Sequence, residues 1–169
     1  MNPNIKVLGE YITQNDKILV ACKKDGHTWE TKALHLLNGH GCPVCNESKG
    51  EETIRKYLRK NHIKYRGQYK IKECKNEKSL PFDFALFNKD KLVALIEYQG
   101  IQHYEPIEFF GGKERFEYQQ KNDNIKRNYC KINNIPLIEI PYTVENIEEY
   151  LGRQLLQLNK PIQLALTRQ

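Results

Sequence analysis

The amino-acid sequence predicts a mixed α/β (α+β) fold in which a small cysteine-bearing module precedes a larger core with a mixed central sheet. Three of the five cysteines crowd into the first third of the 169 residues. Beyond them, apolar patterns follow one another in the order helix, three strands, helix, strand, and two of the strands carry a carboxylate. We place the module at residues 1–47, the core at 48–160 and a C-terminal tail at 161–169.

Composition and charge favour a cytoplasmic protein with a polyanionic partner. The 27 Lys and Arg against 21 Asp and Glu give a formal net charge of +6, which modestly favours nucleic acid. No stretch approaches the roughly 18 to 20 apolar residues of a membrane helix, and the N-terminus lacks the apolar segment of a secretion signal. We therefore expect no membrane partner and a cytoplasmic location.

The N-terminal module is predicted to begin with a β-hairpin and to hold a metal ion. Residues 5–21 are β-rich on either side of a polar turn and lead directly to Cys22. Further on, Cys42-Pro-Val-Cys45 follows a glycine, and such a tight turn lets two thiolates point at one ion. In a reducing compartment, clustered cysteines indicate metal ligands rather than disulfides. A redox Cys-x-x-Cys is disfavoured because no βαβ pattern surrounds it.

Several side chains compete to be the fourth ligand of this site. The imidazole of His27 would complete a tetrahedral Cys3His shell, and the preceding glycine supplies the bend. His35, His40 and Asp25 are alternatives on spacing alone. His40 is the main rival because it adjoins the Cys-x-x-Cys turn.

The segment from Cys22 through Gly26-His27-Thr-Trp29 to Gly39-His-Gly-Cys42-Pro-Val-Cys45 resembles a class of small zinc ribbons. These have the form Cys, Gly-His-x-Trp, Gly-x-Gly-Cys-Pro-x-Cys and often sit beside nuclease domains in bacteria and phages. The resemblance therefore implies a bacterial cell or a phage-infected host. The resemblance implies that a structural Zn²⁺ is bound by Cys22, His27, Cys42 and Cys45. It also implies that Trp29 packs in the core of the ribbon.

The helices and strands of the larger core are predicted from the spacing of apolar residues. In chain order they are a helix at 51–60, strands at 63–71, 80–87 and 92–99, an aromatic loop at 100–112, a helix at 113–133, a strand at 137–140 and a helix at 144–158. The state of the tail after Pro161 is left open.

Two carboxylates stand in the most apolar strands of this core. Asp83 lies in the middle of Leu80–Phe87, and Glu97 lies near the end of the strand that begins at Leu92. Burying a carboxylate costs on the order of several kcal/mol unless a cation or hydrogen bonds compensate its charge. A divalent metal bound by Asp83 and Glu97 would provide that compensation.

The order of elements, with Pro81-Phe-Asp83 on one strand and Glu97-Tyr-Gln99 closing the next, resembles the restriction-endonuclease-like PD-(D/E)xK nuclease core over residues 50–142. The resemblance implies that Asp83 and Glu97 hold a catalytic Mg²⁺ or Mn²⁺, which lowers the pKa of a bound water for attack on a phosphodiester. Gln99 stands where the family has a lysine. Its amide can orient a water molecule, but it carries no charge and cannot act as a general base.

A histidine shortly after the third strand offers another way to activate water. A neutral imidazole can take a proton near pH 7. This arrangement resembles the subgroup that includes very-short-patch-repair and phage homing endonucleases. That resemblance implies Glu51 as a helix carboxylate, with Glu52 as its alternative, Asp83 as metal ligand, His103 as general base and Asp123 as an added acid.

Lys126 is an alternative source of the missing positive charge. It lies one helical turn after Asp123, on the same face of the second long helix. A solvated ion pair between the two, worth little in stability, explains the same spacing. The surface interpretation is favoured for Lys126.

These residues predict a metal-dependent DNA endonuclease whose zinc ribbon assists DNA binding, with double-stranded DNA as partner. Basic side chains that would contact phosphates lie on the first core helix and the strand after it: Arg55, Lys56, Arg59, Lys60, Lys64, Arg66, Lys70 and Lys72. The alternative is a non-catalytic DNA-binding protein built on a degenerate nuclease fold, which Gln99 favours. Cutting both strands would require a homodimer or two sequential nicks.

Overall fold

The structure, a computed structural model, describes residues 3–10, 12–24, 26–45, 47–108 and 111–166, with side chains described through residue 158. The chain divides into two units, Met1–Glu52 and Thr53–Gln169. Helices and strands occur together in both, so the predicted α+β class is confirmed. Within the described ranges, no helix has the length and apolar character needed to cross a membrane.

The first unit is a three-stranded antiparallel sheet followed by one short helix. Its elements are β1 (Ile5–Val7), β2 (Lys17–Cys22), β3 (Thr28–Lys32) and α1 (Ala33–Leu37), with sheet order β1-β2-β3. The pairing of β1 with β2 confirms the predicted hairpin. The third strand was not predicted, because its residues are at most half-buried and lack a strong apolar alternation. Its Trp29 packs against the core residues Ile5, Ile18, Val20, Ala33 and Leu36.

The second unit contains the longer elements, in the predicted order. They are α2 (Lys49–Lys60), which begins in the first unit, then β4 (Tyr65–Lys75), β5 (Ser79–Asn88), β6 (Lys91–Gln99), a 3-10 turn (Ile101–His103), α3 (Gly112–Ile132), β7 (Leu137–Pro141) and α4 (Ile147–Leu166). The final helix continues past the predicted end at Leu158 and includes most of the predicted tail; residues 167–169 lie outside the described residues.

A mixed four-stranded sheet of order β4-β5-β6-β7 forms the centre of this unit. The first three strands are antiparallel neighbours, whereas β7 runs parallel to β6. A parallel pair needs a long crossover between its strands, and α3 provides it. The mixed central sheet is therefore confirmed. The parallel register places Glu139 of β7 beside Glu97 of β6.

Apolar clusters cover both faces of this sheet. One combines sheet residues with α2 and α4; its buried members are Ile54, Leu58, Phe84, Leu86, Ala94, Ile96, Ile138, Ile140 and Leu151. The other combines sheet residues with α3; its buried members are Cys74, Phe82, Ala85, Leu95 and Cys130. The helix α3 thus lies along the face of the sheet to which Glu97 also points, as its contacts show below.

Candidate metal centres

The first unit brings three thiols together. The Sγ atoms of Cys22, Cys42 and Cys45 all lie within 4.8 Å of one another, and those of Cys22 and Cys45 are 3.5 Å apart. A tetrahedral zinc ion with Zn–S bonds of ~2.3 Å spaces its sulfurs by roughly 3.8 Å. None of the three cysteines is in a disulfide bond. Their spacing therefore fits one tetrahedral metal ion.

Local turns account for the placement of the first of these thiols. Cys22 ends β2, and its N–H donates to the carbonyl of His27 at 2.8 Å. The N–H of Gly26 donates back to the carbonyl of Cys22 at 2.9 Å. Gly26 has φ +71°, a left-handed conformation that glycine adopts without steric cost. These two hydrogen bonds fix the backbone of Cys22 at the point where β2 ends and the turn begins.

Among the described residues, no fourth ligand atom is grouped with the three Sγ atoms. His27 is half-buried, and its ring stacks on Trp29 with centroids 5.6 Å apart and an interplanar angle of 9°. His40 is exposed, and its ring contacts that of His35 at 5.3 Å. Asp25 lies outside the described residues. The assignment of His27 stays a prediction.

In the second unit, the two carboxylates lie at the same end of the β5–β6 ladder. Phe84 of β5 pairs with Ile96 of β6. One residue further along, the N–H of Asp83 donates to Glu97 Oε1 at 3.3 Å, and the N–H of Tyr98 donates to Asp83 Oδ2 at 2.8 Å. Each side chain accepts a backbone donor from the opposite strand. Both carboxylates are therefore held at this point of the sheet.

Glu97 also forms a buried ion pair with α3. Lys126 Nζ lies 2.8 Å from Glu97 Oε2, and the two side chains are 11% and 7% exposed. The same ammonium lies 5.2 Å from the centroid of the Phe82 ring. Burial raises the pKa of Glu97 to about 8, the negative charge of Asp83 adds to the increase, and Lys126 opposes it. Glu97 is thus a carboxyl that a further cation would favour in its ionised form.

The interpretation of Asp123 and Lys126 as a solvated surface ion pair is wrong. Both residues lie on the buried side of α3, and each bonds a different partner: Lys126 contacts Glu97 and Asp123 contacts His103. Their spacing does place them on one helix face, as predicted. That face points toward the sheet instead of the solvent, because charged partners there compensate both groups.

His103 and Asp123 form a second buried pair. His103 Nδ1 lies 2.8 Å from Asp123 Oδ2, with side chains 9% and 3% exposed. Gln119 Nε2 lies 3.2 Å from the other oxygen of Asp123, and Gln120 Nε2 donates to the carbonyl of His103. An ionised Asp123 favours the tautomer with the proton on Nδ1. Nε2 is then the ring nitrogen able to accept a proton.

Gln99 belongs to a third polar group at the ends of β6 and β7. Its Nε2 donates to Glu139 Oε1, and its Oε1 accepts from the hydroxyl of Tyr104 at 2.9 Å. Arg127 Nε contacts both oxygens of Glu139, at 2.9 and 3.0 Å. The amide that stands in the lysine position thus has a protein partner at each of its polar ends.

Glu51 lies in the first turn of α2, where it takes part in a capping box. The N–H of Ser48 donates to Glu51 Oε2 at 2.8 Å, and the N–H of Glu51 donates to Ser48 Oγ at 3.2 Å. This reciprocal pair satisfies two backbone donors that a helix start leaves open. Its catalytic role stays a prediction, as does that of Glu52.

Sequence reasoning missed several members of the polar groups. Glu139 could have been found, because it is a carboxylate in the apolar strand Leu137–Pro141, the same signal that identified Asp83 and Glu97. Arg127 and Gln119 lie on a helix that is polar on most of its surface, so no local signal separates them from solvated neighbours. Gln68, on β4, donates to Asp83 Oδ1 at 3.4 Å and had no signal either.

Three viral proteins are similar to parts of this chain. Uncharacterized protein 307L of Invertebrate iridescent virus 6 is 48% identical over 69 residues, which is 40% of this chain and 35% of that protein. Uncharacterized protein 094L of Frog virus 3 (isolate Goorha) is 47% identical over 66 residues, 38% of this chain and 43% of that protein. Uncharacterized protein 033L of Invertebrate iridescent virus 3 is 45% identical over 51 residues, 30% of this chain and 26% of that protein.

The chain spans less than half the length of each of these relatives. No family model matches it. No solved structure matches it. All three relatives are uncharacterized proteins.

Proposed function

We propose that the protein is a divalent-metal-dependent endodeoxyribonuclease with a restriction-endonuclease-like PD-(D/E)xK core and a zinc-bearing N-terminal module. The observation that carries the proposal is the buried ion pair of Glu97 with Lys126, set beside Asp83 where the β5–β6 ladder ends. A carboxylate pair with an adjacent ammonium is the group of charges that this nuclease class uses. Here the lysine comes from α3 instead of the strand that carries Glu97.

Asp83 and Glu97 would hold the catalytic Mg²⁺ or Mn²⁺. Their oxygens are the ligand type that hard divalent cations prefer. Burial, and after it the charge of Asp83, raises the pKa of Glu97 to about 8 although Lys126 opposes the increase, so a bound divalent cation would favour the ionised carboxylate. When bound, the metal would neutralise charge on the scissile phosphate and lower the pKa of an attacking water.

The remaining side chains have distinct chemical roles in this proposal. Lys126 stabilises negative charge that develops on the phosphate oxygens as water attacks phosphorus. His103 accepts the proton of that water at Nε2, and Asp123 stabilises the imidazolium that results. The P–O3′ bond then breaks, and its electron pair goes to the 3′-oxygen, which takes a proton from solvent and leaves as a 3′-hydroxyl. The other product carries the 5′-phosphate, as in the nuclease family.

The alternative of a non-catalytic DNA-binding protein depended on the missing lysine. Gln99 is engaged by Glu139 and Tyr104, so it supports the neighbouring strand ends in the structure. The proximity of Lys126 to Glu97 supplies the cation by another route. This contact favours an active enzyme over a degenerate one.

The thiol group would hold a structural Zn²⁺, with His27 as the fourth ligand. Three thiolates at tetrahedral spacing fit zinc, and the ion would join the two separate segments that carry them, the turn after β2 and the Cys-x-x-Cys turn. Cys22 and Cys45 lie close enough that a reducing compartment is needed to keep them as ligands, which supports the proposed cytoplasmic location. We assign this module to binding double-stranded DNA through its phosphates.

Conversion of supercoiled plasmid to nicked and linear forms in Mg²⁺ or Mn²⁺ tests the nuclease directly. Wild-type protein should cleave, and Asp83→Asn should be slower by on the order of 10³-fold, because a metal ligand contributes several kcal/mol to transition-state stabilisation. Asn keeps the size of the side chain and an acceptor for the N–H of Tyr98. Asp90→Asn is the matched control, since Asp90 is 95% exposed in the β5–β6 turn.

Equal cleavage by wild type and Asp83→Asn would refute the assignment of the site. Folded wild-type protein that binds duplex DNA in a salt-sensitive manner, but cleaves none with either metal, would select the non-catalytic alternative. No DNA binding at low salt would refute both.

A further inference from the structure

Gln68 has a backbone conformation that its residue type disfavours. Its φ is +48°, in the left-handed region, although it lies inside strand β4 and is not a glycine. Residues other than Gly, Asn and Asp rarely adopt this backbone conformation. It persists only where the surrounding structure enforces it. The other positive-φ residues of this kind among those described are His62, Lys89 and Asn134, which all lie outside the strands.

The left-handed residue changes which face of the sheet the strand presents. Tyr65 packs on the apolar cluster of α2 and α4, whereas Tyr69 packs on the cluster of α3. Residues four apart on a regular strand share a face. Gln68 lies between them, so the alternation of side chains reverses there.

The neighbouring strand reverses at the same level. Phe84 belongs to the cluster of α2 and α4, and Phe82 to that of α3, although residues two apart should share a face. Asp83 is the residue between them. Because Gly67 pairs with Phe84 and Tyr69 pairs with Phe82, Gln68 lies directly opposite Asp83. The two reversals therefore occur side by side.

A side-chain contact joins the same two residues. Gln68 Nε2 donates to Asp83 Oδ1 at 3.4 Å, while Tyr98 N–H holds the other oxygen at 2.8 Å. The carboxylate is thus fixed from both neighbouring strands, by a backbone donor on β6 and an amide on β4. A carboxylate held at both oxygens has its remaining lone pairs aimed in defined directions.

We infer that Gln68 is a positioning residue for the metal-binding carboxylate of Asp83, and that its strained backbone is retained for this role. The inference rests on the proposed function, since it assigns Asp83 to a metal. Groups that orient a metal ligand without touching the metal contribute to affinity, and removing them costs on the order of 10- to 100-fold. Gln68 is exposed, so replacing it opens no cavity.

The test compares metal affinity with thermal stability in one variant. Gln68→Gly permits the left-handed backbone without strain and removes the amide. Its Tm should equal or exceed that of wild type, whereas its Kd for Mn²⁺, measured by electron paramagnetic resonance, should rise by about 10-fold. Lys89→Gly is the matched control: Lys89 has φ +54° in an exposed turn, so its Tm should change in the same direction with no change in Kd.

Asp83→Ala separates the inference from the proposed function. Its Mn²⁺ binding should be lost; if it binds Mn²⁺ as wild type does, or wild type binds none, the metal site itself is refuted and the role of Gln68 with it. If Asp83→Ala loses binding but Gln68→Gly retains the wild-type Kd, the role of Gln68 alone is overturned. A lower Tm in Gln68→Gly together with weaker binding would also overturn it, because a general loss of structure would then explain the affinity.

Discussion

The thiol group of the first unit and the carboxylate group of the second unit hold their ligands in different ways. The thiols come from the turn after β2 and from the Cys-x-x-Cys turn, and no ion pair is needed to bring them together. The carboxylates come from two strands, and their charges are offset by a lysine on α3. A cysteine thiol is neutral until a metal displaces its proton, whereas a buried carboxyl must either be compensated by a cation or take up a proton, as the raised pKa of Glu97 shows.

This difference decides what each site does in the absence of metal. The thiol group lies in a unit whose buried apolar cluster is small, Ile5, Ile18, Val20, Ala33 and Leu36. Small units of this kind obtain much of their stability from a structural metal. The carboxylate group lies in a unit whose sheet has an apolar cluster on each face, so its framework should remain folded without metal. Metal removal should therefore affect structure at one site and chemistry at the other.

The largest expected effect is that of removing one thiol. Cys42→Ser should abolish the binding of about one Zn²⁺ per chain and unfold the first unit, because structural zinc contributes on the order of 10 kcal/mol. Metal content by mass spectrometry and hydrogen exchange of residues 17–37 measure the two effects. Cys130→Ser is the control, since Cys130 lies in the second unit. This variant should still bind about one Zn²⁺ per chain. A wild-type protein whose first unit is folded without bound zinc would contradict this prediction.

The next largest expected effect is a decrease in the free energy of unfolding with rising pH, caused by ionisation of Glu97. Its pKa rises from 4.5 to about 8 on folding, so the folded protein holds this proton more tightly than the unfolded chain. Stability from this group is fully present below pH 4.5 and is lost as the pH rises through about 8. Since one pKa unit corresponds to about 1.4 kcal/mol, the loss is on the order of 5 kcal/mol.

Urea unfolding of wild type and Glu97→Gln between about pH 5 and about pH 9, without added divalent cation, isolates this contribution, because most of the loss of stability falls between the two pKa values of Glu97. The glutamine cannot ionise, so the stability of that variant should fall less over the range. Identical pH profiles for the two proteins would show that Glu97 is not the group responsible.

How far sequence reasoning succeeded differs between the two sites for a physical reason. The Cys-x-x-Cys turn and the glycine-bearing turn after Cys22 are local features, so spacing alone predicted that these thiols meet. Asp83 and Glu97 were identified by the contrast between a carboxylate and its apolar strand. Both signals lie within a few residues of the chain.

Sequence reasoning did not assign two members of the carboxylate group: it named Lys126 as an alternative source of positive charge but favoured a surface position for it, and it gave Gln68 no role. Lys126 lies on a helix with polar residues on most sides, and only the packing of α3 against the sheet shows that it faces Glu97. Gln68 depends on a left-handed φ that glutamine does not favour, so its residue type predicted an ordinary strand position. In both cases tertiary contacts, instead of local preference, set the conformation.

The most direct test of the central claim is the rate of Mn²⁺-dependent plasmid cleavage by Lys126→Met. Met retains most of the side-chain volume and removes the charge, so cleavage should fall by about 10²- to 10³-fold, or roughly 3 to 4 kcal/mol, while circular dichroism confirms the fold. Lys121→Met, which removes an exposed charge from the same helix, should cleave as wild type does. A Lys126→Met protein that is folded and cleaves at the wild-type rate would contradict the assignment of the Glu97–Lys126 pair to catalysis.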